Sequence, residues 1–130
     1  MKLLVGYDGS NSAKAALALA TKHARAFNAA IDIVTSRETG TVEETGQIEA
    51  AKKELEYVEA STKSQGVRAE SHLLIRGLKP GEDLVQFARE INAETIFIGV
   101  KRQSKVGKLL FGSNAQYVIL KAPCPVMTVR

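Results

Sequence analysis

Residues 2 to 27 read KLLVGYDGSNSAKAALALATKHARAF. The first part, KLLVGYD (2 to 8), is a short apolar run ended by Asp and Gly, the pattern of a buried strand. Ser10 or Ser12 then stands where a helix cap belongs. Beyond it, Ala13, Ala16, Leu17, Ala20, Ala24 and Phe27 recur at spacings of three and four, which predicts a helix with those residues turned inward. A strand that feeds directly into an amphipathic helix is the first half of a strand-helix-strand unit, and the rest of the chain repeats the alternation. IDIVT (31 to 35) is a second strand, followed by a polar loop to about Gly46. Ile48, Ala51, Leu55, Val58 and Thr62 mark one face of a second helix that ends near Gly66. AESHLLI (69 to 75) is the third strand, and Pro80 suits the first turn of a helix that turns Leu84, Phe87, Ala88 and Ile91 inward. TIFIG (95 to 99) is the fourth strand. Ser113 is placed to cap a short helix with Ala115, Val118, Ile119 and Ala122 toward the core, Pro123 stops it, and PVMTV (125 to 129) is the last strand. Parallel neighbours need helix-length crossovers, so five strands alternating with four helices predict an α/β fold: a five-stranded parallel sheet with helices on both faces, Rossmann-like.

The chain has 130 residues and 45% hydrophobic content, enough for one domain with a substantial core over residues 1 to 130. A single cysteine, Cys124, cannot form an internal disulfide, and no leader-like stretch is evident, so a cytoplasmic location is expected. Every apolar run is far shorter than the roughly 20 residues of a spanning helix, so no membrane insertion is expected. The net charge is +4, but its distribution matters more than its size. Six basic residues and no acid lie between Thr95 and Arg130, which leaves residues 1 to 94 at −2. Nucleic-acid binders spread their charge over a face interleaved with aromatics. Here there are seven aromatics, and only Phe97 lies between Thr95 and Gly107, so no nucleic-acid partner is expected.

The local charge coincides with GVKRQSKVGKLLFGS (99 to 113), three glycines and four cations at the carboxyl end of a strand. In a doubly wound sheet, ligands bind outside that end, where strand order reverses. Glycines let a ligand approach bare backbone, and a helix start offers unpaired N–H groups to an anion. Spacing alone leaves two readings open: a phosphate site, or a tight turn with a capping serine and solvated lysines. A Walker A loop is excluded because Gly107 and Lys108 are followed by Leu109, and G-x-G-x-x-G follows none of the strands.

The stretch nevertheless resembles the universal stress protein family, whose nucleotide-binding members carry G-x2-G-x9-G-[ST] after the fourth strand. Gly99 matches the first position and Gly112 with Ser113 the last pair, while Arg102 replaces the second glycine. VGYDGS (5 to 10) is similar to the family's V-x-x-D-G-S, and KAPCPVMTVR (121 to 130) to its H-A-P-C-P-V-L-V-V-R. The resemblance implies the family's fold, of the adenine nucleotide alpha hydrolase-like type, and an ATP-binding regulatory module of the stress response, with AMP or ADP as alternative ligands and magnesium on the phosphates. It implies that Gly6, Tyr7 and Asp8 border the adenosine, with the Asp8 carboxylate near the ribose hydroxyls. Thr35 and Ser36 would meet adenine through main chain. Ile98, Gly99, Lys101, Arg102, Gly112, Ser113 and Asn114 would surround the phosphates, with Lys105 and Lys108 solvated. For Asp8 an Asx-turn into the first helix is the equally simple structural reading. The resemblance also implies a homodimer through the last strand.

No catalytic constellation emerges. His23 and His72 lack an acid or nucleophile at motif spacing, Cys124 lies between two prolines, Ser113 has no activating base, and Asp8 lacks the second acid of a receiver domain. At most a slow ATPase is expected. The alternatives are a nucleotide-free dimeric interaction protein of the same fold, a slow ATP hydrolase, or an anion-sensing regulator of a membrane transporter.

Overall fold

The computed structural model describes residues 1–101 and 111–130, so Arg102, Lys105, Gly107 and Lys108 lie outside the described residues. The elements follow in the order β1 (Lys2–Gly6), α1 (Asn11–Phe27), β2 (Ala30–Arg37), a 3-10 turn (Val42–Glu44), α2 (Thr45–Ser64), β3 (Ala69–Ile75), α3 (Pro80–Ile91), β4 (Thr95–Gly99), α4 (Ser113–Lys121) and β5 (Val126–Val129). All strand pairs are parallel, in the order β3-β2-β1-β4-β5. The α/β sheet expected from the alternation is therefore present. Strand order reverses between β1 and β4, which leaves a gap between their carboxyl ends.

Strand periodicity divides the core in two. Leu3, Val5, Ile31, Ile33 and Phe97 join the alanine face of α1 and Leu55 and Val58 of α2 on one side of the sheet. Leu4, Val34, Ile96 and Ile98 meet Leu84, Val85, Phe87 and Ala88 of α3 and Val118 of α4 on the other. Small side chains let α1 lie close to the sheet. So close, in fact, that a Cβ on Gly99 would stand 2.4 Å from the Ser12 carbonyl carbon and 2.6 Å from the Ala13 nitrogen. That glycine is required by helix packing, not by an unusual dihedral angle.

Local signals set the helix ends. Ser10 is the N-cap of α1, its Oγ accepting the Ala13 N–H at 3.2 Å. Asn28 and Asn92 end α1 and α3 in the left-handed conformation, at φ 53° and 54°. Pro80 opens α3 as its position suggested.

Several expectations need correction. Phe27, the final residue of α1, is 63% exposed, whereas Ala24 one turn earlier on the same face is buried. Ile119 is 39% exposed, since a nine-residue helix that meets the sheet through Val118 has only a narrow contact stripe. Ser113 does not cap α4. The N-cap is Gly112, which makes no side-chain bond, and Ser113 is the first helical residue. β2 runs to Arg37, two residues past the expected end, because β3 continues to pair with it after β1 has stopped.

Candidate functional site

The gap between β1 and β4 opens into a cleft of about 300 Å³. Its walls are the carboxyl ends of β1, β2 and β4 and the first turns of α3 and α4. Of the sequence candidates, Gly6, Tyr7, Asp8, Thr35, Ser36, Ile98, Gly99 and Asn114 line it. Lys101 does not: it lies in a neighbouring depression with Ser10, Ser12 and Arg130, at the start of α1. Gly112 and Ser113 directly precede the cleft-lining Asn114 and Ala115. Arg102 is outside the described residues.

Each candidate has partners that limit what it can offer. The Tyr7 ring is buried in the core under α1 and α2, and its hydroxyl donates to Glu54 Oε1 at 2.8 Å. Burial first, and then Glu54, holds that phenol well above its ordinary pKa, so Tyr7 is no acid–base group for the cleft. Its carbonyl accepts the Thr35 hydroxyl at 2.6 Å, closing the floor between β1 and β2. Asp8 is exposed, and its Oδ1 accepts the Ser10 N–H at 2.9 Å. The Asx-turn is thus present, and it uses one of the two carboxylate oxygens. Asn114 Oδ1 accepts the Gly81 N–H at 2.9 Å, joining the starts of α3 and α4. That bond commits the carboxamide oxygen to the protein.

Two features of the wall are made of main chain. In β2, the Ala30 N–H donates to Met1 C=O and Val34 C=O accepts from Tyr7 N–H, whereas the Ile31 N–H donates to Arg68 C=O. Even-numbered residues therefore face β1 and odd-numbered ones β3. The last rung with β1 is Gly6 opposite Val34, so the next even residue, Ser36, turns its N–H and C=O to the β1 side beyond that strand's end. At α4, the first N–H to find a helical carbonyl is that of Gln116, on Gly112 C=O at 3.0 Å. Among the described residues, no side chain caps the N–H groups before it. Gly112 has φ −64°, and among the described residues nothing lies within 4 Å of where a Cβ would project.

Sequence reasoning missed Pro80, Gly81 and Leu84 as cleft residues. The Pro-Gly pair at a helix start was visible, but nothing local indicated that α3 would be brought against α4. Among the described residues, Asp32, Glu70 and His72 could hold a metal, with ligand atoms within 4.8 Å of one another. They lie near the amino ends of β2 and β3, away from the cleft. Asp32 is already engaged by His72 Nε2 at 2.8 Å and Lys2 Nζ at 3.5 Å, so both of its oxygens have partners within the protein.

Fold and cleft together define a doubly wound α/β protein with a cleft at the switch point of the sheet. The chain belongs to the universal stress protein family, whose model matches residues 1–130. It is 37% identical to a universal stress protein of Thermus aquaticus, encoded in the QAH/OAS sulfhydrylase 3′ region, over 98% of this chain and 97% of that protein. A universal stress protein structure from Archaeoglobus fulgidus superposes with a TM-score of 0.90 at 37% identity, covering all of this chain and 98% of that one. Another from the same organism, in complex with dAMP, gives 0.84 at 34% identity with the same coverage.

Proposed function

We propose that the cleft between β1 and β4 binds an adenine nucleotide, ATP foremost, and that its occupancy is the signal of a cytoplasmic stress-response module. The observation that carries this reading is the presence, around one cleft, of a β2 edge at Ser36 and a start of α4 that have no partner among the described residues. A donor and an acceptor on one residue suit adenine, whose N6 donates and N1 accepts. The free Asp8 oxygen suits a ribose hydroxyl. Unpaired N–H groups at a helix start suit phosphate. The volume is at the lower end of small-molecule sites, in keeping with a cleft that encloses the nucleoside and leaves the phosphates at its mouth. The A. fulgidus relative in complex with dAMP supports the same ligand class.

Magnesium is expected on the phosphates, with no protein ligand assigned to it. Slow hydrolysis is the most catalysis expected. Dimerisation through β5 is part of the proposal. β5 is a sheet edge, Met127 on it is 38% exposed and Leu120 on the preceding helix 78%, so a second copy would cover both backbone and apolar surface.

Titration calorimetry with Mg-ATP tests the site. Binding is expected in the wild type and a large loss in Gly112→Val, whose branched side chain would project toward the phosphates. Absence of wild-type binding at millimolar ATP refutes the proposal. It would favour a nucleotide-free dimeric interaction protein, and Arg102→Gly restoring affinity would name the cause.

A further inference from the structure

Behind the cleft wall lies a charged chain that neither the core nor the phosphate site accounts for. Asp83, on the first turn of α3, is completely buried. Its Oδ2 accepts the Ser36 hydroxyl at 2.7 Å, and its Oδ1 accepts Arg76 Nε at 2.7 Å. Arg76 in turn holds both oxygens of Glu90 through NH1, at 2.9 and 3.0 Å, and lies over the Phe87 ring with 5.8 Å to the centroid. Burial works against the guanidinium's charge, but Glu90 and Asp83 together outweigh it and hold its pKa above the ordinary value.

A buried ion pair is weak evidence of stabilisation, since desolvation offsets much of the Coulombic gain. Its constant effect is geometric, and here the geometry ends at Ser36. That residue is beyond the last β1 rung, so this stretch is held on one side only, by β3 through the main chain of the flanking odd-numbered residues. Even-numbered side chains of β2 point to the α3 side, where Val34 joins the core, and the Ser36 hydroxyl reaches Asp83 from the same side. The carboxylate thus supplies the tether that β1 no longer does.

We propose that Asp83 is a positioning residue for base recognition: through the Ser36 hydroxyl it holds the Ser36 N–H and C=O at the spacing that accepts adenine and refuses guanine. The inference rests on the adenine site proposed above. Guanine presents O6 and N1–H where adenine presents N6–H and N1, so a rigid donor–acceptor pair meets it donor to donor and acceptor to acceptor. An untethered edge can turn, and discrimination falls before affinity does.

The test is the ratio of dissociation constants for ATP and GTP, measured in wild type, Ser36→Ala, Ser36→Thr and Asp83→Asn, each with its melting temperature. Ser36→Ala should lower the preference for ATP about fivefold, the worth of one net hydrogen bond. Ser36→Thr keeps a hydroxyl and should restore the preference. Asp83→Asn should lower it without tracking the loss in melting temperature, which a merely structural role would do. Wild type that binds ATP but shows no preference, or a preference within twofold of wild type in both Ser36→Ala and Asp83→Asn, overturns this inference and leaves the site intact. Wild type that binds neither nucleotide overturns both.

Discussion

Gly99 and Gly112 belong to the same sequence motif, yet the structure gives them opposite physical duties, and alanine at each position separates them. A Cβ at Gly99 would meet two backbone atoms, at 2.4 and 2.6 Å, contacts that real Cβ atoms essentially never make. The shorter is about 1 Å inside the ~3.5 Å optimum for carbon pairs. Backbone of a capped helix start cannot swing aside as a side-chain tip would, so α1 must lift from β4 along its first turn. Overpacking costs about 1–3 kcal/mol, and the rigid partners put Gly99→Ala at the upper end, about 3 kcal/mol. At about 4 °C per kcal/mol for a domain of this size, the melting temperature should fall by about 12 °C. Gly112→Ala meets nothing within 4 Å among the described residues, at a φ of −64° that alanine adopts freely. It should be neutral or stabilising by up to about 1 kcal/mol, through the unfolded chain's lost freedom. Scanning calorimetry of both variants without ligand reads the contrast. Equal melting temperatures for wild type and Gly99→Ala would refute the account of α1 packing, and a large loss in Gly112→Ala would refute the open helix start.

Two further expectations follow from burial and charge. Phe97 is fully buried and Phe27 is 63% exposed, so Phe97→Ala should cost about 3–5 kcal/mol in urea unfolding and Phe27→Ser less than about 0.5 kcal/mol. Similar costs would mean that α1 is rotated from the placement described. The Glu44 carboxylate is lowered from 4.5 to about 2, first by Arg37 and then by the Thr41 and Thr39 hydroxyls. A depressed folded-state pKa means that its stabilisation is complete above about 4.5 and is lost as pH falls through about 2. Amide exchange of residues 39 to 44 should therefore accelerate, after correction for the intrinsic rate, over that acid window and not between pH 5 and 8. Glu44→Gln should exchange fast at every pH, and an unchanged profile would show that the clasp does not order this turn.

The elements were legible because each carries its own short-range signal. Apolar runs bounded by glycine, alanines spaced by helical turns, Ser10 as a cap and Pro80 at a helix start all act within a few residues, and β3, α3 and β4 begin where those signals put them. Phe27 and Ile119 were misread for the same reason: a periodic pattern reports which residues share a helix face, but not how completely each position on that face is covered. Ser113 looked like a cap because serine suits one, whereas Gly112 has the N-cap position.

Much of the cleft wall was legible as well. Gly6, Tyr7, Asp8, Thr35, Ser36, Ile98, Gly99 and Asn114 all lie at strand or helix ends, and strand ends of a parallel sheet gather at one edge whatever the strand order. Local pattern could not reveal what those residues are bonded to. Ser36 meets Asp83 across 47 positions, Gly81 meets Asn114 across 33, and the space that Gly99 must leave empty is filled by the start of α1. Alternating hydrophobicity and turn chemistry, acting over a few neighbours, thus dictate the strands, the helices and the edge at which a ligand is expected. Only the packing of distant segments determines which polar groups at that edge are already paired and which remain free to bind, because hydrogen-bond partners are assigned in space and not along the chain.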